Sequence, residues 1–138
     1  MREFEFQFPD GPLINRELLE STVSELQKSL NLQRQDMKTG WVWYRFPPCL
    51  NEDMTLAISL AFSNGVLRQV NIAHNDGALY GDSWNDWSEE REKLRVKNTV
   101  AWFTKQGYSL GIFPWGEIWA SYDPKGGFGS GGVRYAET

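Results

Sequence analysis

The sequence predicts an α+β domain in which a twisted antiparallel sheet of about six or seven strands carries two helices on one side. Three observations lead there. Two segments repeat apolar residues at helical spacing. Much of the remainder alternates apolar and polar residues or is rich in β-branched and aromatic side chains. The links between successive strand-like segments are a few residues long, which allows only antiparallel neighbours. The expected order is β-α-β-β-β-α-β-β-β, in a single domain over residues 1–138.

Phe4, Phe6 and Phe8 alternate with Glu3, Glu5 and Gln7, the pattern of a half-buried strand, and Pro9-Asp10-Gly11-Pro12 stops it. Asn15 is placed to cap a helix whose stripe is Leu19, Val23, Leu26 and Leu30. After Gly40, "WVWYRF" reads as a strand that Pro47-Pro48 ends. Met54, Leu56, Ile58, Leu60 and Phe62 then alternate with Thr55, Ala57, Ser59 and Ala61. This is a strand with one deep face and one face open to close approach.

Ser63-Asn64-Gly65 joins that strand to "VLRQVNIAH". A two-residue Asn64-Gly65 turn in an unbroken ladder would set Leu60 opposite Gln69. A three-residue loop sets Phe62 opposite Val66, Ile58 opposite Val70 and Leu56 opposite Ile72, so the longer loop is expected. It leaves Arg68 opposite Leu60 on the apolar face, which requires the side chain to snorkel or to find an acidic partner.

"SWNDWSEEREKLRVKNTVAWFTKQG" reads as the second helix. Ser83 or Ser88 is its cap, acids fill its first turns, and Gly107 ends it. Trp87, Leu94 and Ala101 mark one stripe, with Val96, Val100 and Phe103 beside it. "YSLGIF" and "EIWASY" then flank a turn at Pro114-Trp115-Gly116. Asp123-Pro124-Lys125-Gly126-Gly127 is a second turn, and Val133 and Tyr135 mark a closing strand.

Composition narrows the function classes. Hydrophobic residues are 41% of the chain and aromatics 14%, enough for an unstapled, ring-rich core. The net charge of −4 and the lack of Lys/Arg clustering argue against a nucleic-acid partner. Cys49 is the single cysteine, so neither an intramolecular disulfide nor a thiolate zinc cluster is available. "MREFEFQFPDGP" lacks the apolar segment of a secretory signal, and no apolar run reaches the roughly 20 residues that cross a bilayer. The expectation is a cytoplasmic monomer or homodimer with no membrane association, metal or cofactor.

Gly127, Gly129 and Gly132 spell G-x-G-x-x-G. A dinucleotide fingerprint needs a helix after the last glycine, and the six residues that follow Gly132 are β-like. A P-loop needs Gly-Lys-Ser/Thr, which "GGVRY" lacks. The segment is therefore read as a turn whose glycines permit close backbone approach. His74, the single histidine, precedes Asn75 and Asp76. A His-Asp general base or a Cys49–His74 dyad is conceivable chemistry, yet a turn histidine is the commoner outcome. "PPC" also does not put the thiol at a helix amino terminus.

Asp82, Asp86, Glu89, Glu90 and Glu92 gather around the start of the second helix, where the helix dipole favours them. Their spacing matches no calcium loop. Trp84 and Trp87 lie among these acids. Such rings commonly pack into a core, but exposed rings beside carboxylates would make a protein-binding hot spot for a basic partner. The candidate partner-binding set is Asp82, Trp84, Asp86, Trp87, Glu89 and Glu90, with Asp123, Lys125 and Phe128 from the glycine turn.

A short acidic α+β chain ending in "WGEIWASYDPKGGFGSGGVRY" resembles the small bacterial immunity proteins encoded beside polymorphic or contact-dependent toxins. The resemblance implies a non-catalytic protein that binds and neutralises a cognate toxin. A secretion chaperone that holds an effector is the alternative, though that family adds a last helix where this chain has strands. A small ligand-binding or enzymatic domain is a third, with His74, Asp76, Arg68 and Tyr80 as its candidates.

Overall fold

A computed structural model of the chain describes residues 2–81 and 83–137. β1 (Phe6–Gln7) and β2 (Leu13–Ile14) form a small antiparallel ribbon closed by the Pro9–Pro12 turn. α1 (Glu20–Glu25), β3 (Gln33–Asp36), β4 (Trp41–Arg45), β5 (Cys49–Asn51), β6 (Met54–Ser63) and β7 (Val66–His74) follow. Next come the single-turn helix α2 (Gly77–Tyr80), a 3-10 turn at Trp84–Asp86 and the long helix α3 (Glu89–Lys105). β8 (Gly111–Phe113), β9 (Gly116–Asp123) and β10 (Phe128–Tyr135) end the described chain.

The large sheet has eight strands in the order β3-β4-β6-β7-β10-β9-β8, with β5 also on β6, and every pairing is antiparallel. The α+β class and the antiparallel sheet are as the sequence predicts. The sheet's strand count is higher because β3 and β5 join it, whereas the first expected strand, β1, is not part of it and pairs with β2 in the separate ribbon. β3 is Gln-Arg-Gln-Asp with every residue exposed, so it carries no apolar alternation to announce it. β5 resumes the track of β4 along β6 after Pro47 and Pro48, which lack the N–H that a ladder needs.

One face of the sheet is buried under α1, α3 and the amino-terminal segment. Leu56, Ile58, Leu60 and Phe62 of β6, Val70 and Ile72 of β7, and Val133 and Ile118 meet Phe4, Val23, Trp102 and Phe103 there. The expected inward Phe4, Phe6 and Phe8 are all buried. Phe6 stands edge-on to Trp102, and Phe8 packs on Phe46.

Three local expectations are corrected. The first helix begins at Glu20 and lasts six residues, while Asn15 instead accepts the Glu17 N–H in a turn. Leu19 is exposed and bridges to Val66, so of the expected stripe only Val23 is fully buried. In the hairpin, Ser63 faces Val66 across a two-residue Asn64-Gly65 turn, with φ values of 51° and 84°. A bulge next to Ala61/Phe62 absorbs Arg68, so Phe62 pairs with Leu67, Leu60 with Val70 and Leu56 with His74. The parity conflict that favoured a three-residue loop is thus removed by one extra residue. In α3 the buried positions are Glu92, Thr99, Trp102 and Phe103, whereas Leu94 and Trp87 are exposed. Its core face carries two polar residues, which shifts the stripe away from Trp87, Leu94 and Ala101.

Candidate binding surface

α3 lies over β10 more closely than side chains would allow. A Cβ at Gly129 would collide with the Glu92 carbonyl oxygen, and one at Gly131 would come within 2.8 Å of Thr99 Cγ2. Gly129 and Gly131 of "GGFGSGG" therefore admit the helix. β10 continues to Tyr135, and no helix follows Gly132 among the described residues, so the close-approach reading of the glycine motif fits the fold. Into the same contact goes the Glu92 carboxylate. It accepts the Gly129 N–H at 3.1 Å and pairs with Arg95 Nε at 3.1 Å. Glu92, expected in the surface acidic patch, is only 4% exposed and belongs to this buried ion pair.

Ser88 caps α3 by accepting the Arg91 N–H, one of the two caps expected. The helix starts too late for Asp86 and Glu89 to share one of its faces. Asp86 lies in the 3-10 turn, and Asp82 is outside the described residues. Even so, the fold brings the rest of the predicted set to one corner. Trp87 Nε1 donates to the Gly127 carbonyl at 2.6 Å, which ties the glycine turn to the helix start. Gly127 has φ +75°, and its own N–H returns to the Asp123 carbonyl at 2.8 Å. Asp123 Oδ1 accepts the Lys125 N–H, so the turn is held internally too.

Trp84 stands edge-on to Phe128 with ring centroids 5.2 Å apart. Trp84 is 72% exposed, Phe128 48% and Trp87 41%, so neither tryptophan is a core residue. Asp86 lies in the same 3-10 turn as Trp84, Glu89 and Glu90 open the helix just after Trp87, and Asp123 pairs with Phe128 across the β9–β10 ladder. Cations interleave with them. Lys93 Nζ meets Glu89 at 3.1 Å, and Arg91 donates to the Asp86 carbonyl at 3.0 Å. Beneath the rings is a recess of about 200 Å³ that reaches Tyr80, Glu92 and Arg95.

The other candidate chemistry resolves into structure. His74 is buried at the end of β7, with Nδ1 2.6 Å from the Tyr80 hydroxyl. Asn98 Nδ2 donates to that hydroxyl at 2.8 Å. Assigning Nδ1 as acceptor of the phenol hydrogen satisfies all three groups. Burial lowers the His74 pKa; Asp76 opposes the shift and Arg95 adds to it. Burial also raises the Tyr80 pKa, so the pair rests neutral. Asp76 caps α2 by accepting the Ala78 N–H. Arg68 lies toward the opposite end of β7, so it does not converge with His74, Asp76 and Tyr80.

Cys49 and His74 face the core on either side of Leu56, which pairs with both. Two strand spacings of ~4.8 Å separate them, too far for proton transfer between them. Burial also raises the Cys49 pKa and keeps the thiol protonated. Among the described residues no cluster of His, Cys, Asp or Glu is arranged to hold a metal ion, and no helix is long and apolar enough to cross a membrane.

Sequence reading missed Arg95 and Asn98. Arg95 donates to the His74 carbonyl at 3.0 Å and stacks on the Tyr80 ring at 4.3 Å. Asn98 sits one helical turn further on. The spacing of Glu92, Arg95 and Asn98 at i, i+3 and i+6 was the available signal, hidden because a charged helix face normally reads as solvated. Comparison with family models, with curated proteins and with solved structures gave no match.

Proposed function

We propose that this chain is a non-catalytic protein-binding module of the immunity-protein kind, which engages a toxin-like partner through the Trp84–Phe128 corner. The observation that carries the reading is the pair of exposed rings in edge contact. Large aromatics that remain in water while a well-filled core lies beside them are what interface hot spots use.

Preorganisation supports the same reading. The Trp87–Gly127 bond and the internal bonds of the Asp123–Gly127 turn hold the corner before any partner arrives, which lowers the ordering cost of association. The four surrounding carboxylates favour a partner with a basic rim, and alternation with Arg91, Lys93 and Lys125 makes the match one of charge pattern.

The test is co-expression with the toxin-like product of the neighbouring gene. The chain should restore growth. Trp84→Ala with Phe128→Ala should abolish protection while circular dichroism and the Tm stay near wild type. Full protection by the folded double variant would remove the corner from the reading. Loss of protection on His74→Ala in a folded protein, accompanied by loss of a measurable turnover, would replace binding with catalysis.

A further inference from the structure

The second face of the large sheet is uncovered, and its composition differs from the rest of the surface. The pairing registers define two cross-strand rows on it. One runs Gln35, Trp43, Ala61, Gln69, Arg134, Glu117 and Ile112. The next runs Gln33, Arg45, Ser59, Asn71, Gly132 and Trp119. Leu67 and Val70 both face the core, so the bulge turns Arg68 and Gln69 together toward these rows.

Three features set the face apart. The two rows and Arg68 include three arginines and two half-buried tryptophans, but no lysine and one carboxylate, Glu117, which is paired to Arg134 at 2.8 Å. Enrichment in Trp and Arg with depletion of Lys, Glu and Asp is the composition of protein interfaces. Second, the guanidinium groups of Arg45 and Arg68 have no hydrogen bond or ion pair among the described residues, so the two rows are locally cationic in a chain of net charge −4. Third, Gln33, Gln35, Trp43, Arg45, Ser59 and Asn71 line a groove of about 490 Å³. At its far side Trp119 lies over Gly132 with the Arg134 guanidinium 4.1 Å from its ring centre. Four strand spacings of ~4.8 Å put the two tryptophans about 19 Å apart.

We infer that this face is a second docking surface and that its occupant is an acidic, aromatic-containing polypeptide segment. Guanidinium groups without carboxylates call for an anionic partner. Amide side chains at Gln33, Gln35, Gln69 and Asn71 supply donors and acceptors suited to peptide groups. The two indoles offer platforms for rings or aliphatic side chains. A nucleic acid is disfavoured, because phosphate binding draws on many basic contacts and the rest of this acidic chain repels a polyanion that extends beyond the face. The inference uses none of the corner residues and stands independently of the toxin-binding reading.

The test measures fluorescence anisotropy of a labelled 12-residue Glu/Tyr peptide with the full chain at low salt. The comparators are the Gln/Tyr and Lys/Tyr versions and a single-stranded oligonucleotide of equal charge. The Glu/Tyr peptide should bind at least ten-fold more tightly than each comparator and should shift the indole N–H signals of Trp43 and Trp119. Arg45→Glu with Arg68→Glu should weaken it ten-fold or more. Trp43→Ala serves as a second variant should the charge reversal unfold the protein. Glu89→Lys with Glu90→Lys should not weaken it. Equal binding of the peptides, indifference to both face variants, or tighter binding of the oligonucleotide would each overturn the assignment.

Discussion

The Glu92 carboxylate receives the Gly129 N–H at 3.1 Å while the same oxygen pairs with Arg95, so one buried side chain joins α3 to the last strand. Arg95 passes the connection on to the His74 carbonyl and to Asn75 Oδ1. Removing Glu92 strands a guanidinium among buried groups and leaves a buried N–H unpaired. Glu92→Ala should therefore destabilise the protein by about 3 kcal/mol, and Glu92→Gln by less, because an amide oxygen still accepts from Gly129. Urea unfolding measures both. A Glu92→Ala midpoint equal to wild type would show that the pair contributes nothing net.

The glycines below α3 give a sharper contrast. At Gly129 a methyl group would enter the helix backbone, and overpacking of this kind costs ~1–3 kcal/mol or more. At Gly65 the φ of +84° disfavours a side chain but nothing lies within 4 Å, so only the left-handed strain of about 1 kcal/mol is paid. Gly129→Ala should thus lower stability clearly more than Gly65→Ala. The reverse order in paired denaturation curves would mean that α3 does not approach β10 as closely as described.

What the sequence made legible follows where one physical cause dominated. The Met54–Phe62 alternation announced its strand, and the alternation of Phe4, Phe6 and Phe8 announced their burial, although only Phe6–Gln7 forms a strand there. Ser88 and Gly107 bounded α3 because capping is local chemistry. β3 was hidden because an edge strand needs no apolar face. The hairpin register was misread because a bulge is set by the sheet around it and not by the turn. At the candidate surface, Trp84, Trp87 and Phe128 were selected as members of one set, but the Trp84–Phe128 and Trp87–Gly127 contacts depend on β10 lying under the start of α3. Arg45, Arg68, Trp43 and Trp119 come together only through the strand order, which no local pattern encodes.

Cys49 offers a chemical check on the core. It lies at 7% exposure on the face that packs against Leu56, and burial raises its thiol pKa. A thiol reagent at pH 8 should modify the native protein far more slowly than the urea-unfolded chain, by at least a hundred-fold if exposure requires global unfolding. Rapid modification of the native state would place Cys49 at a frayed edge and break the β5–β6 pairing.

Trp84 tests the exposed corner without a partner. It is the most exposed of the tryptophans among the described residues at 72%. Iodide should quench a fraction of the native emission, and Trp84→Ala should remove much of that accessible fraction. Stability should change by less than ~1 kcal/mol, the scale of a surface substitution plus one edge-on ring contact. An unchanged quenching curve would bury the ring and withdraw it from any docking role.

His74 gives the pH dependence a direction. In the unfolded chain its imidazole titrates near its ordinary value of 6.5, whereas in the fold burial lowers the pKa. Above pH 6.5 the ring is neutral in both states and accepts the Tyr80 hydroxyl hydrogen at no ionisation cost. As the pH falls through 6.5 the unfolded chain binds a proton that the folded ring resists, so stability declines. The decline ends once the pH has passed below the lowered folded value. Charging the ring also sets it against Arg95, whose guanidinium holds the His74 carbonyl, and only Asp76 offers compensation. Unfolding free energy should therefore drop between pH 7.5 and pH 5 in the wild type and drop less in His74→Gln, which keeps an acceptor but cannot titrate. Parallel curves for the two proteins would mean that the imidazole stays as readily protonated in the fold as in water.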